Sequence, residues 1–244
     1  MIDVILSPAE LAGRELGGAQ VVVLDVLRAT STIVTALANG ARDVVMFGTL
    51  DEARTAKASG RFKVPVVLAG ESNCLRPADF DLGNSPREFV TEKIGGATIL
   101  LATTNGTRAA VAAKAARRML MGSLLNAGAT AEALAAEIGE GDTILVCAGT
   151  NGALAFEDVV GAGAILWGIL RTTYRADLPF TDKAWLAYHA YSGVKNLLPA
   201  ALRLGAGGIN VMEAGLEEDI DHCARLDAMP VLAVVGQGLR VVRG

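Results

Sequence analysis

The stretch VVVLDVLRATST, residues 21–32, indicates the fold class of this chain. It begins with four β-branched or apolar residues in succession, which is typical of a strand that is buried on both faces. Asp25 ends this run, and apolar side chains then recur at helical spacing at Ala29, Ile33 and Leu37. The stretch therefore predicts a buried strand, a polar turn and a helix.

The same order of strand, polar turn and helix returns twice. Residues 98–102 lead into TTNGT at 103–107, and residues 143–147 lead into GTNG at 149–152. The shared T-N-G element arises either from an internal duplication or from convergent turn chemistry, because Asn-Gly is a strong turn former. Uninterrupted apolar strands that alternate with helices predict an α/β protein with a largely parallel, helix-covered sheet. Further strands are predicted at 44–47, 64–68, 119–121 and 231–235, and helices at 50–59, 86–93, 129–138 and 159–170.

The length of 244 residues suits one domain over residues 1–244, with a two-lobed arrangement as an open alternative. Apolar residues make up 52% of the chain and aromatic residues only 5%, so the core must consist mainly of aliphatic side chains. The net charge of -4 offers no footprint for nucleic acid or an anionic membrane, and we expect neither as a partner. The expected partner is a small molecule, and a homodimer is the base-rate expectation for the assembly.

The cysteines and the amino-terminal residues favour a cytoplasmic protein. The three cysteines contain no C-x-x-C pair, which favours a reducing compartment over a disulfide framework. Residues 1–11 include Asp3 and Glu10 and lack the basic and apolar regions of a signal peptide. The uncharged run at 159–170 is too short to span a bilayer and predicts a buried helix.

Carboxylates follow several of the predicted strands, where ligands bind in parallel sheets. Hard oxygen ligands from several loops suit a Mg²⁺ ion that is also held by phosphate and water. For each acid taken alone, a capping or solvated role is the alternative. The candidate metal ligands are Asp25, Glu71, Asp81, Glu157 and Asp158.

The polar turns also offer donors for a phosphate. Arg28 follows Asp25 by three residues and opens a helix rich in hydroxyls, although Asp25 could instead cap that helix and pair with Arg28. The T-N-G turns present backbone amides and hydroxyls just before helices, which suits an oxyanion. In the helix-entry segment 81–86, capping explains Ser85 but not Asn84. The candidate substrate-binding residues are Arg28, Thr30, Ser31, Asn84, Thr104, Asn105, Gly106, Thr107, Thr150, Asn151 and Gly152, and the candidate catalytic residues are Asp25, Arg28, Asn105 and Asn151.

Several competing signatures are absent from the sequence or weak. It contains no P-loop, no G-x-S-x-G elbow and no H-E-x-x-H helix. The glycines of GAGA at 161–164 lie inside a predicted helix, so close helix packing is favoured over dinucleotide binding. Cys147 fits a small buried residue better than a nucleophile. The glycine-rich segment 205–208 predicts a local loop.

Four motifs, taken in order, resemble the 2-phosphosulfolactate phosphatase family. They are DVLRATST at 25–32, FDLGNSP at 80–86, TTNGT at 103–107 and CAGTNG at 147–152. The resemblance also covers AGE at 69–71, ED at 157–158 and, more loosely, GLEEDI at 215–220 with Cys223, and it is weak from about 171 to 210.

This resemblance implies a three-layer α/β/α fold with a mixed, largely parallel sheet, dependence on Mg²⁺ and hydrolysis of a phosphate ester. The named activity would convert 2-phosphosulfolactate to sulfolactate and phosphate, as in coenzyme M synthesis. Two alternatives stay open, a phosphatase for a different 2-phospho acid and a non-catalytic module that binds a phosphorylated or sulfonated metabolite. Aspartyl-phosphate phosphatases carry a second Asp two residues after the nucleophile, and here that position is Leu27. A metal-ligand role for Asp25, with water as the attacking group, is therefore favoured over a covalent intermediate.

Overall fold

The computed structural model describes residues 1–11, 13–175 and 177–244. These residues form a nine-stranded sheet with helices on both of its faces. The strands, in chain order, are β1 (Ile2–Ile5), β2 (Gln20–Leu24), β3 (Asp43–Phe47), β4 (Val66–Gly70), β5 (Thr98–Ala102), β6 (Arg118–Gly122), β7 (Thr143–Cys147), β8 (Ala233–Gly236) and β9 (Arg240–Arg243). The helices are α1 (Pro8–Leu11), α2 (Ala29–Ala38), α3 (Leu50–Ala58), α4 (Thr91–Ile94), α5 (Gly106–Ala112), α6 (Ala127–Ala135), α7 (Phe156–Thr173), α8 (Asp182–Val194), α9 (Leu198–Leu202), α10 (Ala206–Glu213) and α11 (Glu217–Cys223).

The sheet is mixed, and its strand order is β1-β7-β2-β6-β8-β9-β3-β5-β4. Strands β1, β7, β2 and β6 are parallel to one another, and so are β3, β5 and β4. Between these two groups lie β8 and β9, which are antiparallel to each other and to their outer neighbours. The two parallel groups therefore run in opposite directions. The expected α/β class with a mixed, largely parallel sheet is confirmed.

The helix layers follow from alternate side chains of the buried strands. Val23 of β2 and Ile99 of β5 share one core cluster with Ile33 of α2, so this layer packs on both parallel groups. Leu24 of β2 points to the opposite face, where it packs in a second cluster with Ile165 of α7. Strands β2, β5 and β7 are buried on both faces, which explains why their sequences are uninterrupted apolar runs.

The carboxyl ends of β2 and β5 meet although the two strands belong to groups of opposite direction. A Cβ atom at Gly106, just after β5, would lie 2.8 Å from the Oδ2 atom of Asp25, just after β2. Five steps of the sheet separate these strands, and at the average twist of sheets, roughly 20–25° per step, five steps amount to more than a right angle. The twist thus brings turns from both groups to one place.

Two predicted segments differ from the structure. The helix expected over 86–93 divides into a 3-10 turn at Pro86–Glu88 and the short α4, with Val90 extended between them. The expected cap does not form, because the Ser85 side chain accepts no hydrogen bond from a backbone N–H of the following turn, and its hydroxyl donates to Asp219. The loop expected at 205–208 is the beginning of α10. Its glycines serve close packing, since a Cβ atom at Gly208 would lie 2.0 Å from the carbonyl oxygen of Leu202.

The strands nearest the two ends of the chain were predicted least well. Strands β1 and β9 are short, carry charged residues and were not predicted. The last predicted strand, 231–235, overlaps β8, which begins two residues later and ends one residue later. Among the described residues, no helix is both long enough and apolar enough to cross a membrane.

The glycines of α7 pack against neighbouring elements, as the sequence predicted. A Cβ atom at Gly163 would lie 2.0 Å from the carbonyl oxygen of Ala187 in α8, and one at Gly161 would lie 2.7 Å from Cγ2 of Val26. The absence of side chains at these two positions lets α7 approach both α8 and the turn after β2.

Gly163→Ala tests this close approach. Either α7 or α8 must move to accept the methyl group, so we expect the free energy of unfolding to fall by about 1–3 kcal/mol. Gly193→Ala is a matched control, because Gly193 also lies in a helix and a Cβ atom there meets nothing within 4 Å. The greater helix propensity of alanine should stabilise that variant by up to about 1 kcal/mol. Urea unfolding measures the free energy of unfolding of both variants. A stabilising effect of Gly163→Ala would contradict the packing argument.

Candidate active site

A cavity of about 420 Å³ lies where the turns after β2, β4, β5 and β7 meet. Helix α10 closes another side of it. The structure therefore brings together turns that are far apart in the sequence, as expected from their positions after strands. The sequence-predicted residues that line the cavity are Asp25, Arg28, Glu71, Asn84, Thr104, Asn105, Thr150 and Asn151.

The other predicted substrate-binding residues lie outside the lining. The Thr30 hydroxyl donates to the carbonyl oxygen of Asp25 at 2.9 Å, and the Ser31 hydroxyl donates to that of Val26 at 2.8 Å. Thr107 shares a hydrogen bond of 3.1 Å with Thr103. These hydroxyls hold the turns in shape, and a direct role in binding stays a prediction for Thr30, Ser31, Gly106, Thr107 and Gly152.

Asp25 is buried at the centre of the site. Its Oδ1 atom accepts a hydrogen bond of 3.2 Å from the backbone N–H of Ala29, the first residue of α2. Burial raises the pKa of Asp25 to about 6, against the effect of the Ala29 and Gly106 backbone N–H groups, and the nearby Glu71 carboxylate raises it further. Negative charge at this position is therefore costly until a cation approaches.

Glu71 is fixed by the two turns that it joins. Its Oε1 atom accepts hydrogen bonds of 2.8 Å from both the backbone N–H and the hydroxyl of Thr104, and Oε2 accepts one of 3.0 Å from the N–H of Cys74. Gly70, which precedes it, has a φ of 157° and leaves no room for a Cβ atom, which would lie 2.2 Å from the carbonyl oxygen of Ala102. The carboxylate is thus held rigidly at the cavity wall.

Arg28 lines the cavity with a guanidinium that is anchored from behind. It donates 2.7 Å to Oδ2 of Asp219 and 2.8 Å to the carbonyl oxygen of Cys74. The alternative in which Arg28 pairs with Asp25 is therefore wrong, because Asp219 of α11 is the partner. The peptide bond between Leu27 and Arg28 is cis.

Asp158 joins two of the turns but does not line the cavity. Its carboxylate accepts hydrogen bonds from the backbone N–H of Val26 at 2.8 Å and of Gly149 at 3.0 Å. Burial raises the pKa of Asp158 well above its usual range, and the charges of Asp25 and Glu157 raise it further. With both oxygens committed to backbone groups, Asp158 fixes the turns that follow β2 and β7.

Glu157 is buried beneath the first turn of α10. Its Oε2 atom has no hydrogen-bond partner among the described residues, and a Cβ atom at Gly207 would lie 1.7 Å from its Oε1. Burial raises the pKa of Glu157 to about 7, and the charge of Asp25 also raises it. Gly207 itself lines the cavity, so Glu157 supports the wall from outside.

The structure does not bring the five predicted metal ligands together. Asp81 lies outside the cavity, where its Oδ2 atom accepts from the Lys57 ammonium at 2.6 Å and from the N–H of Leu68 at 2.7 Å. Within the described ranges, no group of three or more His, Cys, Asp or Glu side chains is arranged to hold a metal ion. Of the five, only Asp25 and Glu71 face the same cavity, and metal binding stays a prediction.

Part of the lining was missed by the sequence analysis. Helix α10 contributes Gly207, Asn210 and Glu213, its C-cap residue is Ala214, which also lines the cavity, and the turn after Glu71 contributes Cys74. The spacing of 207, 210 and 214 is that of one helical face, and this pattern could have indicated a helix where the glycines suggested a loop.

The charges of the lining favour a cation. Among the described lining residues, Asp25, Glu71 and Glu213 are acidic, and Arg28 is the only basic one. The charge of Arg28 is already balanced by Asp219. An anionic ligand would therefore meet net negative charge unless a cation entered with it.

Glu157→Gln tests the free-energy cost of ionising the buried Glu157 carboxyl. The pKa of Glu157 is raised to about 7 in the folded protein, so the protonated carboxyl favours the folded state. This contribution to the free energy of unfolding is present in full below the pKa of an ordinary glutamate, and it is lost as pH rises through about 7. We therefore expect Tm of the variant, measured in EDTA, to rise relative to wild type from about pH 5 to about pH 7 and to level off above that range. The exposed Glu92→Gln should show no such trend. A pH-independent difference for Glu157→Gln would contradict ionisation at a buried site.

Comparison with known proteins identifies the family. A family model described as 2-phosphosulpholactate phosphatase matches residues 5–238. A probable 2-phosphosulfolactate phosphatase of Caldanaerobacter subterraneus subsp. tengcongensis is 37% identical over 227 residues, which cover 93% of this chain and 91% of that protein. Proteins of the same name from Thermotoga petrophila and Thermotoga maritima are 35% and 36% identical over 243 residues, 100% of this chain and 99% of each. The chain therefore belongs to the 2-phosphosulfolactate phosphatase family of phosphoric monoester hydrolases.

Proposed function

We propose that the chain is a Mg²⁺-dependent phosphatase that hydrolyses 2-phosphosulfolactate, or a closely related 2-phospho acid, to the free acid and phosphate. The observation that carries this proposal is the presence of Asp25, Glu71 and Arg28 in one cavity, together with the turns at Thr104 and Thr150. With 2-phosphosulfolactate the product is sulfolactate, as in coenzyme M synthesis.

The donor set of the cavity fits a Mg²⁺ ion. Asp25 and Glu71 offer carboxylate oxygens, and the Oδ1 atom of Asn84 is buried without a hydrogen-bond partner among the described residues. Mg²⁺ is commonly held by one or two carboxylates together with substrate phosphate and water, so a larger protein ligand set is not required. A bound Mg²⁺ ion would supply the positive charge that the phosphate oxygens need.

The remaining lining residues have separate tasks in this proposal. Arg28 has five N–H donors on its guanidinium, and those not committed to Asp219 and Cys74 stabilise the charge of the transferring phosphoryl group. Asn105 and Asn151 orient the substrate from the turns after β5 and β7. Leu27, which also lines the cavity, stands where an aspartyl-phosphate phosphatase has its second acid, and water is the preferred nucleophile.

A cytoplasmic location and a homodimeric assembly complete the proposal. The described cysteines Cys74, Cys147 and Cys223 are all free thiols, which supports a reducing compartment. The homodimer rests on the prevalence of two-fold symmetric dimers among soluble oligomers. Light scattering of the purified protein measures the assembly.

Phosphate release tests the reaction. Purified protein with Mg²⁺ should release phosphate from 2-phosphosulfolactate, phospholactate or a related acid, and EDTA should abolish this release because the acidic cavity then lacks a counter-charge. Mg²⁺ added in excess of EDTA should restore it. Preference for another 2-phospho acid would revise the substrate alone. Tight binding of these acids without turnover would favour the non-catalytic module.

Asp25→Asn and Glu71→Gln test the two carboxylates separately. Each variant keeps the size of the side chain but removes a charge, so we expect kcat to fall by roughly 100-fold or more. Asp79→Asn is the control, because Asp79 is an exposed acid that pairs with Arg54 outside the cavity. Far-UV circular dichroism verifies folding. Wild-type kcat in a folded Asp25→Asn variant would remove Asp25 from the mechanism.

A further inference from the structure

Asp219 is a buried acid just behind the cavity, on the short helix α11. Its side chain is 0% exposed and does not line the cavity. Each oxygen has one side-chain partner, since Oδ2 accepts 2.7 Å from the Arg28 guanidinium and Oδ1 accepts 2.6 Å from the Ser85 hydroxyl. One carboxylate therefore joins three parts of the chain that are distant in sequence.

Both partners of Asp219 determine the shape of the cavity. Arg28 lines it directly. Ser85 follows Asn84, which also lines it and whose Oδ1 atom is buried without a partner among the described residues. The backbone of Asn84 is held in addition by the Thr32 hydroxyl, which donates 2.8 Å to its carbonyl oxygen. The positions of a cation and of an amide at the cavity wall thus both depend on Asp219.

We propose that Asp219 is a positioning residue, which fixes the Arg28 guanidinium and the Asn84 turn in the geometry that receives the phosphoryl group. This inference rests on the proposed phosphatase function. A guanidinium anchored at Asp219 and at the Cys74 carbonyl is held in one orientation by two of its five N–H donors, and the others are not committed to these two acceptors. Because its rotamer is already fixed, less conformational entropy is lost when an oxyanion binds in bidentate fashion.

A purely structural role explains this arrangement less well. A buried ion pair contributes little net stability compared with apolar side chains of the same volume, because both ions are desolvated. Ser85 and Arg28 are instead placed so that their alignment with the cavity depends on one acid. Orientation, rather than stability, is what this pair provides.

The charge of Asp219 gives the proposal a distinctive kinetic signature. In Asp219→Asn the positive charge of Arg28 is no longer balanced, so attraction of an anionic substrate is kept or strengthened. The guanidinium loses its charged anchor, so its alignment in the transition state is lost. The variant should therefore lower kcat without raising KM, whereas general loosening of the site would raise KM.

Steady-state kinetics with Mg²⁺ and 2-phosphosulfolactate test this signature. For Asp219→Asn we expect kcat to fall about 10- to 100-fold, as when outer partners of metal ligands are removed, with KM unchanged or lower. Asp221→Asn is the matched control, an exposed acid on the same helix that pairs with Arg203, and should behave as wild type. Wild-type kcat in a folded Asp219→Asn variant, or a higher KM with unchanged kcat, would overturn the proposal.

A double-mutant cycle with Arg28→Lys tests whether Asp219 acts through Arg28. If it does, Arg28→Lys should cost far less in the Asp219→Asn background than in wild type. Effects on kcat that multiply independently would overturn the proposal. If Asp219→Asn does not fold, Ser85→Ala replaces it in the cycle, since it removes one hydrogen bond and no charge. Ser85→Ala should lower kcat less than Asp219→Asn, and this loss should disappear in the Arg28→Lys background. Persistence of the loss in that background would count against the proposal.

The same cycle measured by binding separates this inference from the proposed function. If wild type has no turnover, calorimetric titration with inorganic phosphate and Mg²⁺ gives Kd for each variant. If the effects of the two substitutions on Kd are not additive in free energy, the positioning role is supported and only the phosphatase activity is contradicted. Independent changes would overturn the positioning role, and a wild-type protein with neither turnover nor phosphate binding would overturn both.

Discussion

The contact between Asp25 and Gly106 is the constraint on which the site depends. It joins the turn after β2 to the turn after β5, and these strands belong to parallel groups that run in opposite directions. A Cβ atom at position 106 would lie 2.8 Å from Oδ2 of Asp25 and 2.9 Å from the Cβ atom of Ala29, so only glycine permits this approach. The twist that sheets accumulate over several strands allows two groups of opposite direction to bring these turns together.

Carboxylates around this contact divide into three kinds. Asp25 and Glu71 face the cavity. Asp158 and Asp219 lie behind it, with both oxygens of each committed to neighbouring turns or side chains. Glu157 is buried with an unpartnered oxygen under the start of α10. Acids that look equivalent in the sequence therefore perform different physical tasks, which are set by which polar groups each can reach.

The sequence predicted the strands that are buried on both faces and most of the turns that line the cavity. Strands β5 and β7 have the predicted bounds because apolar runs buried on both faces leave a strong signal. The contribution of α10 was not predicted, since glycines used for packing resemble glycines used in loops. Asp219 was missed because it lies in the acidic stretch EEDID, where nothing local distinguishes a buried acid from solvated ones. Burial there depends on contacts with residues more than a hundred positions away.

Strands β8 and β9 have a further consequence for how the molecule forms. Residues 43–102 contain all of one parallel group, and the other group is built from residues on both sides of that segment. Backbone hydrogen bonds connect the two groups only through β8 and β9 in the described sheet, and these strands follow all the others in the chain. Since synthesis proceeds from the amino terminus, the two groups emerge from the ribosome before the strands that join them. The cavity, whose lining turns come from both groups, therefore lies between two halves of the sheet whose strand pairing depends on the last hairpin of the chain.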